Sequence, residues 1–324
     1  SGGTRTPVYF VIDTVQPQVA VDSSKTSYDS VHKTLHIEGT VTTMNLLDAD
    51  APLTISWSGG SGSPTLGSMA KDSKDNNVWP WSYSLDVSAN PPSDGDFSLT
   101  ATAKDEYGLP GPKPFTVTVD RTPPVINTTN GDQVMSDVHG FALNGRAADA
   151  TTGVASMTAK VLDSSNVDHF TPSMLTLDSN AATAGSGGGW SLDLSGLDTG
   201  VYTVRLTATD KVGNSFTADP TAIVVDKDAP VLSMDAPLVE GKIFNAKSAI
   251  PANWTGSASD AFLESVSLKS ADWVASFTAP SSGTTRAWSY PSNWASLPEG
   301  QHTIAVTAAD RGGHSVTQSA TFTK

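Results

Sequence analysis

"FTVTVDRTPPVIN", residues Phe115 to Asn127, alternates apolar and polar side chains and then breaks at Asp120, just ahead of Pro123 and Pro124. Alternation with a period of two is the pattern of a half-buried strand. A proline pair cannot continue such a strand and stiffens the linker beyond it. The same passage occurs twice more, as "VIDTVQPQV" with Asp13 and Pro17 and as "VVDKDAPVL" with Asp226 and Pro230. The spacing from Asp to Pro is four residues each time, and the three Asp stand 107 and 106 residues apart. The chain is therefore built from repeats of about 105 residues.

Three further markers keep the same step. Gly precedes Asp by ten residues at Gly95/Asp105, Gly200/Asp210 and Gly300/Asp310. A glycine sits inside an early strand at Gly39, Gly145 and Gly256, followed four residues on by Asp149 and Asp260 in the last two copies. A strand begins with Trp-Ser at Trp81, Trp190 and Trp288. Between the markers, short alternating runs such as "LTISWS" and "FSLTATA" are separated by turn residues every 8–12 positions. Helical periodicity is nearly absent; "TPSMLTLDSNAATAG" has room for one turn at most. Short strands at this spacing predict a seven-stranded β-sandwich per repeat. The fold class expected is all-β, three tandem immunoglobulin-like β-sandwich domains in an extended rod. Residues 1–13 would end a preceding repeat, and the domains would span 14–120, 121–226 and 227–324.

Composition narrows the function. The 324 residues carry a formal charge of −14, with no cluster of Lys and Arg, which argues against nucleic acid as a partner. No run approaches the roughly 20 apolar residues of a membrane span, so no membrane insertion is expected. The N-terminal stretch lacks the apolar core of a signal peptide and reads as the edge of a longer chain. Cysteine is absent, so any stiffening must come from something other than disulfides. The acids are lopsided, with 28 Asp against 5 Glu among the 33. An Asp holds its carboxylate close to the backbone, which suits turns and hard-cation ligand sets.

The openings D-x-x-x-P, the motif G-x-A-x-D, the strand start W-S-x-x-L and the run "LTATDKVGN" resemble the bacterial Ig-like repeats of giant type I-secreted, non-fimbrial surface adhesins. The resemblance covers all three repeats. It implies a secreted, cell-surface rod, calcium at the domain junctions, attachment to host cells, and neighbouring repeats of the same chain as the main partners of each domain. A monomer is expected.

Placed on such a sandwich, the markers converge. Asp149 and Asp260 follow the second strand and Asp210 and Asp310 the sixth, so both loops lie at the end where the preceding linker arrives. The expected sets are Asp120, Asp149 and Asp210 at the first junction and Asp226, Asp260 and Asp310 at the second, with Asp228 as an added oxygen donor. Three carboxylates gathered at neutral pH either take up protons or hold a cation. Oxygen donors on flexible loops, without Cys or His, favour Ca²⁺ over Mg²⁺. The plainer reading is that each Asp only caps its own turn. At the start of the first domain Asp13 and Asp105 keep their places, Thr43 stands where an acid is expected, and Asp48 or Asp50 could substitute. Asp94, Asp198 and Glu299 lie in turns at the opposite end, where Asp94 could reach the Asp120 site.

Enzymatic readings find little. The six His recur at no common repeat position, "GSGGGW" lacks the strand and helix that flank a phosphate loop, and no G-x-S-x-G occurs. A non-enzymatic role is expected. The alternative reading makes these carbohydrate-binding modules that contact host glycans directly or accompany a polysaccharide-active enzyme. Trp273 and Trp294 lie near turns where a ring could stack on a sugar or else cover the sandwich edge. The loop Gly67 to Trp81 is peculiar to the first repeat and is a further place for contact.

Overall fold

Inward and outward residues alternate along the long strands, and this alternation separates three cores. In Gly200–Asp210 the buried positions are Tyr202, Val204, Leu206, Ala208 and Asp210. In Gln301–Asp310 they are His302, Ile304, Val306, Ala308 and Asp310. The computed structural model describes residues 13–129, 134–238, 240–245, 248, 250–270, 274–278 and 285–324. Within them one core draws on residues from Tyr28 to Val119, the next from Met135 to Val225 and the last from Leu232 to Phe322.

Each core lies between two sheets. In the first domain one sheet runs Gln18–Val21, Thr34–Thr43, Asn77–Asp86, Thr65–Leu66, and the other Pro110–Val119, Gly95–Lys104, Leu53–Trp57, Gly60–Gly62. The second domain repeats the plan with Val125–Thr128, Ala142–Ala148, Gly188–Asp193 and Leu175–Leu177 against Val134–Met135, Thr221–Val225, Gly200–Asp210 and Val154–Leu162. The third sets Val231–Met234, Asn253–Ser259 and Thr285–Pro291 against Lys242–Ile243, Ser315–Thr323, Gln301–Asp310, Leu263–Ser270 and Val274–Thr278. In the second and third domains the opening segment divides between both sheets. Its first part pairs antiparallel with the second strand, and its second part pairs parallel with the last. In the first domain the second part, Ser27–Asp29, pairs with Thr34–Thr43 instead. These are tandem Ig-like β-sandwiches.

Two sequence markers turn out to be one structural device. Gly39 lies directly opposite Trp81, Gly145 opposite Trp190 and Gly256 opposite Trp288. Each indole lies over its glycine, and all three tryptophans are buried. A Cβ on Gly145 would stand 2.0 Å from the Asn127 carbonyl oxygen and 2.4 Å from the Trp190 ring. Glycine is required here for space. The stretch expected to hold one helical turn at most carries two short 3₁₀ turns, Pro172–Met174 and Ser179–Ala182, and a third lies at Trp294–Ser296. No described helix is long and apolar enough to cross a membrane.

Candidate metal centres at the domain junctions

Strand parity aims the acids. Leu143, Gly145 and Ala147 face the core, and one step past the strand the same parity falls on Asp149, which is 3% exposed. Asp210 and Asp310, each 2% exposed, end their strands in the same way. The linker residues Asp120 and Asp226 follow Val119 and Val225 at the end of each sandwich and are fully buried. Carboxylates thus occupy positions that would otherwise extend the hydrophobic core into the junction.

At the first junction Asp120, Asp149 and Asp210 each present a carboxylate oxygen within 4.8 Å of the others. Their remaining bonds divide the oxygens by task. Asp149 Oδ1 accepts the amides of Thr151, Thr152 and Gly153, and its buried Oδ2 has no partner among the described residues. Asp210 Oδ1 accepts from Val212 and Asn214, and Oδ2 accepts from Asn214 Nδ2 at 2.7 Å. Asp120 accepts from the Thr122 amide and the Thr152 hydroxyl. Burial pushes the Asp120 carboxyl up, and the charges of Asp149 and Asp210 add to the rise. Capping a turn and serving the junction are therefore compatible, because a turn occupies only one oxygen of Asp149.

The second junction gathers a different set. Asp226, Asp310 and His314 place ligand atoms within 4.8 Å of one another. Among the described residues neither oxygen of Asp226 has a hydrogen-bond partner. Burial drives its pKa up to about 6, with the charges of Asp310 and Asp260 contributing. Asp260 lies outside that close group, although burial and then the charges of Asp310 and Asp228 raise its carboxyl too. Its loop is the reason. Four residues separate Asp149 from Val154 but only two separate Asp260 from Leu263, so among the described residues Asp260 accepts from the Phe262 amide alone. Asp228 accepts from the Thr199 hydroxyl at 2.8 Å and fastens the linker.

That fastening appears at both junctions with its partners exchanged. Asp94 accepts the Arg121 amide and the Thr122 hydroxyl. Thr199 accepts the Lys227 amide and donates to Asp228. Acid and hydroxyl have changed sides, and the contact is kept at both junctions. Asp94 thus clamps the linker beside the Asp120 cluster. A second shared contact crosses each junction: Ser30 Oγ donates to the Val212 carbonyl, and Ser136 Oγ to that of Gly312. Ser30 and Ser136 stand 106 residues apart, a repeat signal present in the sequence but outside the four markers.

The start of the first domain forms no such group among the described residues. Asp105 is fully buried and caps its turn through Oδ1, with Oδ2 unpartnered among the described residues. Asp13 instead bonds the side-chain amide of Asn45 at 2.7 Å, and Asp48 caps the amides of Asp50 and Ala51. Of the two rings considered for sugar stacking, Trp294 is half-buried against Phe244 and Phe322 with the Lys324 ammonium 5.3 Å from its ring centre. It covers the sandwich edge. Trp273 lies outside the described residues.

A family match agrees with this architecture over part of the chain. Residues 189–324 match the bacterial Ig-like domain (group 3). No curated protein matches the sequence. Among solved structures, the chain is similar to a 1.5-MDa bacterial ice-binding adhesin at 15% identity, covering 96% of this chain and 98% of that one, with a TM-score of 0.35. It is similar to fibronectin(III)-like modules of CbhA from Clostridium thermocellum at 16% identity, 62% and 93% coverage and a TM-score of 0.28. Extracellular cadherin domains 1–5 of protocadherin gamma B2 match at 12% identity, 96% and 72% coverage and a TM-score of 0.25.

Proposed function

We propose that the chain is a structural segment of a bacterial surface adhesin, whose tandem Ig-like domains are stiffened by Ca²⁺ held at their junctions and support attachment to host cells. The observation that carries this reading is the unpartnered, fully buried carboxylate of Asp226, together with the free Oδ2 of Asp149 in the first cluster. A buried charge without a partner is costly unless it is protonated or coordinates a cation. At the first junction Asp120, Asp149 and Asp210 would hold the ion, and an all-carboxylate set suits a hard cation. At the second, Asp226 and Asp310 would do so, with Asp260 near. The bound ion supplies positive charge that removes mutual repulsion. The protein supplies the rest: prolines narrow the linker's conformations, and the Asp94 and Thr199 clamps fix its exit. An affinity in the range of extracellular modules, with Kd about 10⁻⁴–10⁻³ M, would leave the chain metal-free inside the cell and stiff outside it.

Small-angle scattering with Ca²⁺ and then with chelator tests this directly. The expected result is a smaller spread of interdomain arrangements in calcium. Asp120→Asn should abolish the response at the first junction and leave the second intact. An unchanged scattering profile would sink the stiffening reading, and loss of folding in Asp120→Asn would make that residue a core element of one domain.

A further inference from the structure

His314 sits between two carboxylates from different domains. Its Nε2 bonds Asp137 Oδ1 of the second domain, and its Nδ1 faces Asp310 Oδ2 of the third at 3.0 Å. Asp137 is largely exposed, whereas the Asp310 carboxylate is fully enclosed. With the Nε2 proton donated to Asp137, Nδ1 of the neutral ring carries a lone pair. That lone pair points toward Asp310 Oδ2, and the positive species between the two is either a second ring proton, which makes the contact an imidazolium–carboxylate hydrogen bond, or a cation in its place. The neighbouring unpartnered carboxylate of Asp226 makes the same demand.

The local backbone leaves room for such a species. A Cβ built on Gly312 would lie 3.0 Å from Asp226 Oδ2 and 3.0 Å from His314 Nδ1. The corresponding residue of the first junction is Val212, two residues after Asp210 as Gly312 is two after Asp310. The counterpart of His314, four residues after the acid, is Asn214. Its Nδ2 donates to Asp210 Oδ2 and to the Asp120 carbonyl, so it brings protons to the cluster and no lone pair. The two junctions therefore differ in donor chemistry. One offers oxygen alone. The other offers an imidazole nitrogen and two carboxylates, with Asp137 as the carboxylate that orients the imidazole in the manner of a metal-ligating histidine.

We infer that the second junction is a site for a borderline divalent metal of the Zn²⁺ class, ligated by His314 Nδ1, Asp226 and Asp310 and oriented by Asp137 of the preceding domain. Nitrogen with carboxylate is a donor set for such ions, whereas Ca²⁺ takes oxygen. Because Asp137 and Asp226 belong to the second domain and Asp310 and His314 to the third, the metal would couple the two. The inference rests on reading the junctions as cation sites and replaces Ca²⁺ with a Zn²⁺-class ion at the second.

The test uses the full chain stripped with chelator. Zn²⁺ and Ca²⁺ binding are measured by calorimetry, Co²⁺ by its visible ligand-field bands, and the His314 ring nitrogens by NMR. Expected are one tight Zn²⁺ equivalent, tetrahedral or five-coordinate Co²⁺ bands, and a displaced Nδ1 resonance. His314→Asn, which installs the residue found at the first junction, should weaken Zn²⁺ about 100-fold or more and leave Ca²⁺ binding at the first junction unchanged. Asp137→Asn should weaken Zn²⁺ roughly 10–100-fold. Asp149→Asn should remove Ca²⁺ from the first junction and leave Zn²⁺ untouched. Zn²⁺ affinity indifferent to His314→Asn, or an Nδ1 that keeps a proton and binds no metal, overturns this inference while Ca²⁺ binding stands. If neither Ca²⁺ nor Zn²⁺ binds, both readings fall together.

Discussion

Replacing Trp190 with alanine is expected to cost the second domain about 3–5 kcal/mol. That is a large share of the roughly 5–15 kcal/mol that holds a domain of this size. Trp190 is 3% exposed, lies opposite Gly145 on the neighbouring strand, and joins the core that includes Leu143, Leu192 and Tyr202. Removing the indole loses its transfer free energy and leaves a cavity over a glycine that has no side chain to fill it. Gly145→Val should be at least as damaging for the opposite reason. Its Cβ would meet the Asn127 carbonyl oxygen at 2.0 Å, and a backbone atom in a paired strand cannot give way as a side chain can. Arg205→Ala, on the exposed face of Gly200–Asp210, should change stability by less than about 0.5 kcal/mol. Scanning calorimetry distinguishes the outcomes. Only the second domain's transition should move, because the three cores are separate. A shift of all three transitions would mean that the domains unfold as one unit, and no shift would remove Trp190 from the core.

The pairing of glycine with tryptophan shows how much the sequence contains and where it stops. Both markers are visible at a fixed step, and the step alone establishes the repeat. Their contact is not visible, because cross-strand register depends on which strands become neighbours. The acids of the junctions are more legible. Asp149, Asp210 and Asp310 continue the inward parity of their strands by one step, so the rule that locates the core also locates them. Asp260 has the same parity and yet escapes the close group, since its loop is two residues shorter and cannot wrap it. His314 is hidden for another reason. Its position four residues after Asp310 holds Asn214 in the second domain and Leu109 in the first, so no repeated residue type marks it. Its partner Asp137 comes from a turn of the preceding domain, and a pattern internal to one domain does not encode how two domains face each other.

The metal-free chain should lose stability as pH rises from about 4 to 8. Asp226 is the main cause. Burial, reinforced by Asp310 and Asp260, raises its folded pKa to about 6, above the value near 3.9 of an unfolded chain. A carboxyl whose folded pKa is raised binds its proton more tightly when folded. Stability therefore falls as pH climbs between those values, and the full penalty, on the order of 3 kcal/mol, is present above about pH 6. His314 acts in the same direction. Its pKa is raised by the hydrogen bonds and charges of Asp137 and Asp310, which outweigh the opposing effect of burial, so its contribution is present below about pH 6.5 and lost above its folded value. Asp163, Asp168 and Asp193, whose carboxyls are held low by backbone and side-chain donors, oppose this only in more acid solution, below about pH 4. The unfolding midpoint of the third domain in chelator is thus expected to be higher at pH 5 than at pH 8, by on the order of 10 °C. A divalent cation at pH 8 should recover the difference, because it replaces the proton as the neutralising charge. Asp226→Asn should flatten the pH dependence in chelator, raise the midpoint at pH 8, and abolish the response to metal. Equal midpoints at pH 5 and pH 8 in chelator would mean that the Asp226 charge is already neutralised by other means, and the case for a cation at the second junction would lose its main support.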